Sequence, residues 1–327
     1  MAFEKELAVA MRAVAKASAL CEKVQTTLCD DETVAKQDRS PVTIADFGSQ
    51  ALVIGDIRKT FPHDAVVGEE DAAILRENAE LRKKVHHLVS EQNEEMDAET
   101  MLDDIDYGAA DTDFSKRYWT LDPIDGTKGF LRGDQYAIAL ALVENGQVVL
   151  GVLGCPNLPL DDNNPKEGQG CLLYAIKDEG AFQKPLKGGD AKQVFVNKIS
   201  ETKNAWFCES VEKGHSKHDV HERIGELLGI TKPPYRIDSQ CKYAVVARGG
   251  VPIYLRLARG QEYKEKIWDH AAGSFIVKEA GGRVTDFGNN ELDFSLGRTL
   301  DKNIGILATN GLLHDNVLSA IKEVLSD

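Results

Sequence analysis

Two aspartates stand three residues apart where an apolar stretch in the middle of the chain ends. Strand-like residues lead up to Asp122, and Asp125 follows after a Pro-Ile pair. This proline and Gly126 predict a tight turn that can direct both carboxylates at one point. A helix could begin at Thr127, so the N–H groups of Gly126 and Thr127 would face outward and favour an anion. Carboxylates beside an anion site indicate a metal-dependent phosphate site, whereas the simpler interpretation is an ordinary surface turn.

Three further acids lie at the ends of predicted elements. A short, buried-looking strand is predicted just before Glu69 and Glu70, and Asp269 precedes a helix that contains small residues. Neighbouring strand residues point to opposite faces, so at most one of the two glutamates points inward. We assign Glu69 as a metal ligand and Glu70 as a neighbour that supports Glu69 without binding the metal itself. Asp269 could merely cap its helix, but with Glu69, Asp122 and Asp125 it would complete a cage of hard oxygen ligands.

A fourth acidic position, Asp46, follows β-branched residues that favour an extended chain. It can cap the helix predicted to begin at Phe47, which would give it a purely structural role. A carboxylate at a helix start can also orient a water or a hydroxyl group.

Candidate anion and nucleoside donors occur in the second half of the chain. The segment from Asp238 to Lys242 includes Ser239, and Arg256 lies within a strand predicted at 251–257. These side chains suit phosphate and a base or ribose, although each alone could be a surface cap or a surface charge. The loop at 209–218 adds hydroxyl and imidazole donors at Ser216 and His218.

The overall charge limits the classes of partner. The 327 residues carry a formal net charge of −14. This field repels phosphate polymers, so we expect neither nucleic-acid binding nor adhesion to an anionic membrane. A small anionic substrate is still compatible with local Lys and Arg side chains. No protein partner is predicted, and the chain is expected to be a monomer.

The cysteines and the first residues predict the compartment. The six cysteines form no C-x-x-C pair, so they are expected to be reduced, packed thiols in a reducing compartment. The amino terminus has neither the apolar core of a signal peptide nor the Arg-rich character of a transit peptide. No run approaches the length of a membrane span. The expectation is a cytoplasmic protein.

The elements that position these residues form two groups. Long helices are predicted at 3–28, 47–60 and 72–90, followed by an antiparallel sheet that includes a hairpin at 144–146. Residues 91–113 contain ten acids and no Lys or Arg, which predicts an exposed connection. The second half alternates strands with helices, as in an α/β layer. The Gly/Pro-containing stretch 185–192 predicts a boundary between an α+β domain at 1–188 and an α/β domain at 189–327.

The acidic motifs resemble those of a magnesium-dependent, lithium-sensitive phosphatase family that includes inositol monophosphatase and fructose-1,6-bisphosphatase. The family pattern is G-E-E, then D-P-x-D-G-T, then W-D-x-A-A-G, and all three occur here in order. The similarity runs from about residue 3 to the end. It implies a layered sugar-phosphatase-type fold of α/β/α/β/α layers with two closely packed halves. The segments 40–46, 125–132, 209–218 and 238–243 are most similar to the 3′(2′),5′-bisphosphate nucleotidases within that family.

The resemblance implies a role for each candidate residue. The implied metal ligands are Glu69, Asp122, the carbonyl of Ile124, Asp125 and Asp269, with Glu70 behind them. The implied activators of the attacking water are Asp46 and Thr127. The implied substrate contacts are Gly126, Thr127, Ser216, His218, Ser239, Lys242 and Arg256.

The implied reaction is Mg²⁺-dependent removal of the 3′-phosphate of adenosine 3′,5′-bisphosphate, and of its 5′-phosphosulfate relative. Two or three Mg²⁺ ions are expected, with inhibition by Li⁺ and with Na⁺ as a further candidate inhibitor. An inositol phosphate phosphatase on the same fold is one alternative. A non-catalytic sensor of metal or nucleotide is another.

Overall fold

The computed structural model describes residues 2–27, 33–35, 41–162, 164–211, 218–257 and 263–326. The helices in these residues are α1 (Glu4–Thr27), α2 (Ile44–Thr60), α3 (Ala73–Glu77), α4 (Ala79–Gln92), α5 (Ala98–Tyr107), α6 (Thr127–Leu131), α7 (His218–Leu228), α8 (Cys241–Ala247), α9 (Ala271–Glu279) and α10 (His314–Ser326).

The strands fall into three sheets. A small antiparallel pair consists of β1 (Thr33–Ala35) and β2 (Pro41–Thr43). The first-half strands are β3 (Ala65–Gly68), β4 (Tyr118–Asp125), β5 (Ala137–Glu144), β6 (Gln147–Pro159), β7 (Gln169–Ile176), β8 (Gly180–Pro185) and β9 (Lys192–Val194). The second-half strands are β10 (Phe207–Glu209), β11 (Tyr235–Arg236), β12 (Ile253–Arg256), β13 (Arg283–Thr285) and β14 (Ile306–Thr309).

The larger sheet follows the chain order from β3 to β9. Its strands pair antiparallel except for β3 and β4, which are parallel, so the sheet is mixed rather than wholly antiparallel as predicted. The predicted hairpin at 144–146 is confirmed, because Glu144 pairs with Gln147 across Asn145 and Gly146. Both turn residues have positive φ, as this tight connection requires.

The smaller sheet has the order β11-β10-β12-β14-β13. Strands β10, β11 and β12 are parallel to one another, whereas β14 runs antiparallel to β12 and β13. The parallel strands end together, and Glu209, Arg236 and Arg256 are their last residues. The predicted α/β character of the second half is therefore confirmed at the edge that carries the candidate donors.

Three apolar cores hold five layers of structure together. The first core joins α1, α2, α4 and α5 to one face of the larger sheet. The second lies between the two sheets and includes α8 and α9, and the third packs α7 and α10 on the far face of the smaller sheet. The order is helix, sheet, helix, sheet, helix, as the resemblance implied.

The acidic stretch 91–113 is not the exposed loop that its composition predicted. Asp97 accepts a hydrogen bond from the Thr100 N–H and caps α5. Met101, Leu102 and Ile105 are buried against the first core. Their spacing gives α5 an apolar face, and of its acids only Asp104 is buried, where it pairs with Arg58. The charge content therefore concealed an amphipathic helix.

Two helix starts also differ from the predictions. Asp46 lies within the first turn of α2, which begins two residues earlier at Ile44, so Asp46 is not the cap of a helix that starts at Phe47. Asp269 precedes α9 by two residues, and no side chain caps that helix at His270. Neither aspartate is therefore explained by capping. The helix predicted at 72–90 is divided at Asn78, whose side chain caps α4.

The thiols agree with the prediction within the described residues. Five of the cysteines are free and buried: Cys21, Cys155, Cys171, Cys208 and Cys241. Cys29 lies outside the described residues. Across the same part of the chain, every helix is too short or too polar to cross a membrane.

The larger sheet continues slightly beyond the predicted boundary after residue 188. Strand β9 (Lys192–Val194) is hydrogen-bonded to β8. The division into domains at 1–188 and 189–327 stays a prediction.

Candidate active site

The acidic residues lie where β3 and β4 end. These strands are parallel with Gly68 opposite Leu121, so Glu69 and Asp122, the residues that follow this pair, lie at the same edge of the sheet. The predicted tight turn does not begin at Asp122. Strand β4 continues to Asp125 with an irregular pairing against β5, which is a bulge that redirects the two aspartates.

Asp122 is the centre of the acidic cluster. Its side chain is buried, and burial raises the pKa of its carboxyl group well above the ordinary value. The negative charges of Glu69, Asp125, Asp269 and Asp46 raise that pKa further. The structure therefore brings together the four carboxylates predicted to bind metal and the one predicted to activate water.

Asp125 connects the acidic cluster to the second half. Burial and the neighbouring Asp269 carboxylate raise its pKa to about 7, although Lys242 and Arg256 act in the opposite direction. The backbone N–H of Gln240 donates to its Oδ2. The carboxylate thus lies between the acidic cluster and the two predicted phosphate-binding cations.

A buried glutamine fixes the turn that carries Glu69. The Gln50 amide donates to the carbonyls of Glu70 and Ile105 at 2.7 and 2.9 Å, and its oxygen accepts from the Glu70 N–H at 3.0 Å. A Cβ at Gly68 would lie only 2.6 Å from the Gln50 amide oxygen, so this approach requires glycine. Glu69 is exposed and Glu70 is buried, as expected if Glu69 faces the site.

A second buried glutamine fixes the turn that carries Asp269. The Gln240 amide donates to the Trp268 carbonyl at 2.8 Å, and its oxygen accepts from the Gly273 N–H at 3.0 Å. Gln240 therefore holds the backbone on both sides of Asp269, and its own N–H reaches Asp125.

Arg256 lies in a buried ion network beside Asp269. It contacts Glu265 at 2.6 Å and Asp269 at 3.3 Å, and His270 contacts Glu265 at 3.2 Å. The Tyr243 hydroxyl is 2.8 Å from His270 Nδ1. Glu265, Asp269 and His270 are close enough to share a metal ion. Since the Arg256 guanidinium already neutralises the two carboxylates, we do not assign a separate metal site there.

The other second-half donors are buried rather than exposed. Ser239 and Lys242 are respectively 8% and 4% exposed, so the interpretation as surface charge is wrong for this segment. Burial lowers the pKa of Lys242, and the nearby Asp125 carboxylate counteracts this effect. Asp238 pairs with Arg132 and accepts from the Val211 N–H at 3.1 Å. The segment is therefore anchored to the loop after α6.

The two halves touch at the start of α6, which begins at Thr127 as predicted. The Thr127 hydroxyl donates to the Ile124 carbonyl at 3.3 Å, and the Ile124 N–H donates to Asp122 at 3.1 Å. Gly126 has a φ of 88°, and a Cβ there would lie 2.8 Å from the Ser239 Cβ. Glycine is therefore required both by conformation and by space.

Helix α2 presents Asp46 to the bulge between Asp122 and Asp125. Asp46 is buried, and Ser49 on the next turn donates to the Pro123 carbonyl at 2.8 Å. This bond ties the helix to the bulge between Asp122 and Asp125. The structure therefore holds Asp46 beside the motif predicted to bind metal.

Two predicted substrate contacts cannot be placed. Ser216 lies outside the described residues, and only the backbone of His218, at the start of α7, is described. Their roles stay predictions.

The donor set fits divalent magnesium. Four carboxylates and a backbone carbonyl are hard oxygen ligands, which Mg²⁺ prefers. The carboxylates raise the pKa of Asp122 by their mutual repulsion, so a cation between them would relieve an electrostatic penalty that burial increases. Imidazole and thiolate ligands, which softer metals favour, are not part of the predicted set.

Sequence reasoning missed three residues that organise the site: Gln50, Gln240 and Arg298. Gln50 had a usable signal, because Asp46, Ser49 and Gln50 share one side of α2 and the other residues between 44 and 54 are apolar or glycine. Gln240 and Arg298 had none, because they bind backbone groups that are distant in sequence.

The chain is similar in sequence and in fold to known proteins. The sequence matches the profile described as the Inositol monophosphatase family over residues 3–326. A 3′(2′),5′-bisphosphate nucleotidase of Emericella nidulans is 46% identical, and the alignment covers 99% of each chain. The Schizosaccharomyces pombe nucleotidase of the same name is also 46% identical, over 100% of this chain and 97% of its own. Among solved structures, Thermotoga maritima IMPase superposes with a TM-score of 0.69 at 24% identity and 98% coverage of both chains, which supports the fold.

Proposed function

This chain belongs to the inositol monophosphatase family, and we propose that it removes the 3′-phosphate of adenosine 3′,5′-bisphosphate to give AMP and phosphate. The proposal extends to the 5′-phosphosulfate relative of that nucleotide. The nucleotidases to which the chain is similar support this substrate class. We further propose a monomeric cytoplasmic enzyme with a role in sulfur assimilation.

One observation carries the choice of a bisphosphate. Arg256 and Lys242 are cations near Asp125, and both counteract the rise in the pKa of its carboxyl group. The Arg256 Nε is buried and has no hydrogen-bond partner among the described residues. A buried N–H without a partner is costly, so a ligand oxygen at this position would be favourable. A monophosphate held by the acidic cluster would leave this second anion site without a role.

The metal ligands in this proposal are Glu69, Asp122, the Ile124 carbonyl, Asp125 and Asp269. The chemistry supplied by two or three bound Mg²⁺ ions is activation of a water and neutralisation of phosphoryl charge. Inhibition by Li⁺, and by Na⁺ as a further candidate, would follow from competition for a weakly held Mg²⁺ position.

The chain itself orients the reactants. Thr127 would hold the attacking water, and Asp46 would accept the proton that passes through the Thr127 hydroxyl. The backbone N–H groups of Gly126 and Thr127 would contact the 3′-phosphoryl oxygens. Ser239, Lys242 and Arg256, with Ser216 and His218, would hold the nucleoside and its 5′-phosphate, so that the 3′-phosphate is in line with the water.

A substrate panel tests the proposal. Phosphate release is measured with Mg²⁺ on adenosine 3′,5′-bisphosphate, its 5′-phosphosulfate relative and inositol 1-phosphate, with and without Li⁺. We expect the highest kcat/KM for the nucleotides, AMP as the product by chromatography, and inhibition by Li⁺. Adenosine 3′-phosphate as the product would contradict the assigned orientation, and preferred hydrolysis of inositol phosphate would replace the proposed substrate.

The matched control is Asp46→Asn, which keeps the side-chain shape. Loss of activity in this variant shows that a contaminating phosphatase does not account for the phosphate release. Loss of a general base predicts a kcat that is lower by about 10²-fold or more. Bound nucleotide with no phosphate release by the wild-type protein would favour the sensor alternative. Near-normal turnover by Asp46→Asn would exclude Asp46 as the base.

A further inference from the structure

Arg298 reaches the candidate active site from the loop between β13 and β14. Its guanidinium donates to the Gly68 carbonyl and, at 3.2 Å, to the Gly108 carbonyl. The same group lies 4.9 Å from the centre of the Trp268 ring. One side chain therefore contacts the residue before Glu69 and the residue before Asp269.

The contacts on the Glu69 side form a closed unit. The Gly68 N–H donates to the Gly108 carbonyl at 2.9 Å, and Arg298 donates to that carbonyl as well as to the Gly68 carbonyl. A Cβ at Gly108 would lie 3.2 Å from the Gly68 Cα and 2.9 Å from the Gln50 amide nitrogen, so the backbones approach closely. The guanidinium holds the two carbonyls through its rigid planar geometry.

The contacts on the Asp269 side come from the same loop. The Arg298 carbonyl accepts from the Ile267 N–H at 3.2 Å, two residues before Asp269. The planar guanidinium over the Trp268 ring adds a cation–π contact. Arg298 is thus fixed by backbone and side chain to the turn that presents Asp269.

We propose that Arg298 is a positioning residue that sets the separation of Glu69 and Asp269, and through it the affinity of the site for the divalent cation. The proposal rests on the metal assignment within the proposed function. Gly108 follows helix α5 within the acidic stretch 91–113, so that stretch also gains a role as a support for Glu69.

The positive charge of Arg298 should weaken cation binding, whereas its positioning of Glu69 and Asp269 should strengthen it. The Glu69 carboxylate interacts electrostatically with the guanidinium, and a cation near Glu69 would be repelled by it. Geometry and charge therefore predict different outcomes for two substitutions. Arg298→Lys keeps the charge but loses the planar fork, whereas Arg298→Met loses both.

Calorimetric titration with Mg²⁺ alone, and with Mn²⁺ alone, separates these effects. If Arg298 acts by geometry, both variants bind each metal about 10- to 100-fold more weakly, as for other residues that orient metal ligands. If its charge dominates, Arg298→Met binds more tightly and Arg298→Lys is unchanged. That second result would overturn the proposal, as would unchanged binding in both variants.

Kinetics provide a second readout. The Mg²⁺ concentration for half-maximal activity should rise in both variants, while the KM for the nucleotide at saturating Mg²⁺ should stay within about twofold. If the half-maximal Mg²⁺ concentration and the KM for the nucleotide rise by similar factors, the variant has lost structure generally, which would contradict the proposal. Calorimetry needs no turnover, so failure of the hydrolysis assay would leave the metal result interpretable.

Arg283→Lys is the matched control. Arg283 also makes two side-chain hydrogen bonds, to Asp315 at 2.8 Å and to Asn289 at 2.9 Å, on the outer side of the same half. We expect wild-type metal affinity for this variant. If Arg298→Met does not fold, Arg298→Lys alone decides the question, since only the geometric role predicts that it weakens binding.

Discussion

The acidic and basic sides of the candidate active site balance their charges differently. Around Asp122, the strongest charge effects come from four other carboxylates. On the basic side, Arg256 has Glu265 and Asp269 within ion-pair distance, and Asp125 counteracts the effect of burial on Lys242. One side is crowded with like charge, whereas the other is largely neutralised by the chain.

The difference indicates how the two sides bind. The carboxylates of the acidic side repel one another, so cation binding should stabilise the fold. The basic side is already paired, so an incoming phosphate competes with carboxylates and gains less net energy. Such a site would release a bound nucleotide readily.

The largest effect should come from Asp122→Asn, which removes the central charge of the acidic side. The asparagine oxygen can still accept from the Ile124 N–H, so the bulge should persist. We expect loss of phosphate release to the no-enzyme background, because a metal ligand is lost. We also expect a higher Tm for the metal-free variant than for metal-free wild type, because repulsion is relieved.

Differential scanning fluorimetry in EDTA and a phosphate assay in Mg²⁺ measure the two effects on the same preparation. A lower Tm for the metal-free variant would show that the acidic side is not strained, and the comparison with the basic side would fail.

A smaller effect is expected from Arg256→Ala on the basic side. Loss of charged hydrogen bonds to the 5′-phosphate should raise the KM for adenosine 3′,5′-bisphosphate about 10- to 100-fold, with little change in Mg²⁺ affinity. The variant should also be less stable, because buried Glu265 loses its ion pair. Initial rates over a range of nucleotide concentrations give the KM.

The double variant Arg256→Ala/Glu265→Gln distinguishes recognition from stability. Removing the buried charge should restore much of the Tm but leave the KM high. Recovery of the KM together with the Tm would mean that Arg256 acts on the fold rather than on the 5′-phosphate.

The smallest effect concerns pH and the metal-free protein. The pKa of Asp125 is about 7 in the folded chain, against an ordinary value of 3.8. Between these values the folded state keeps a proton that the unfolded state has lost, so stability falls as pH rises through this window. We expect the Tm in EDTA to fall by about 2–4 °C more between about pH 5 and about pH 7.5 for wild type than for Asp125→Asn.

Saturating Mg²⁺ should oppose this trend, because the metal binds the deprotonated carboxylate and stabilises the fold more as the pH rises. Tm values with and without Mg²⁺ across the range measure the effect. Parallel pH curves for wild type and Asp125→Asn in EDTA would contradict the assigned pKa.

The sequence predicted the acidic residues because each lies at the start or the end of a recognisable element. Parallel pairing of β3 and β4, which the predicted antiparallel sheet did not include, brings Glu69 and Asp122 to one edge. The five-layer arrangement came from resemblance rather than from periodicity. Helix α5 was missed because its acids outnumber its three buried apolar residues.

The supports of the site could not be predicted in the same way. Gln50, Gln240 and Arg298 act on backbone carbonyls and N–H groups, which every residue possesses. No residue pattern therefore marks their partners, and only the folded backbone brings them together. The burial of Lys242 likewise depends on packing between the two sheets.

The hydrogen bond from the Gln240 N–H ties Asp125, a proposed metal ligand, to the segment proposed to contact the nucleoside. Ser239, the neighbour of Gln240, packs against Gly126, so the nucleotide side and the metal side share a single joint. A cation that shifts Asp125 must also shift the segment expected to contact the nucleoside. Thermodynamic reciprocity then requires that the nucleotide alter the affinity for the cation by the same factor as the cation alters the affinity for the nucleotide.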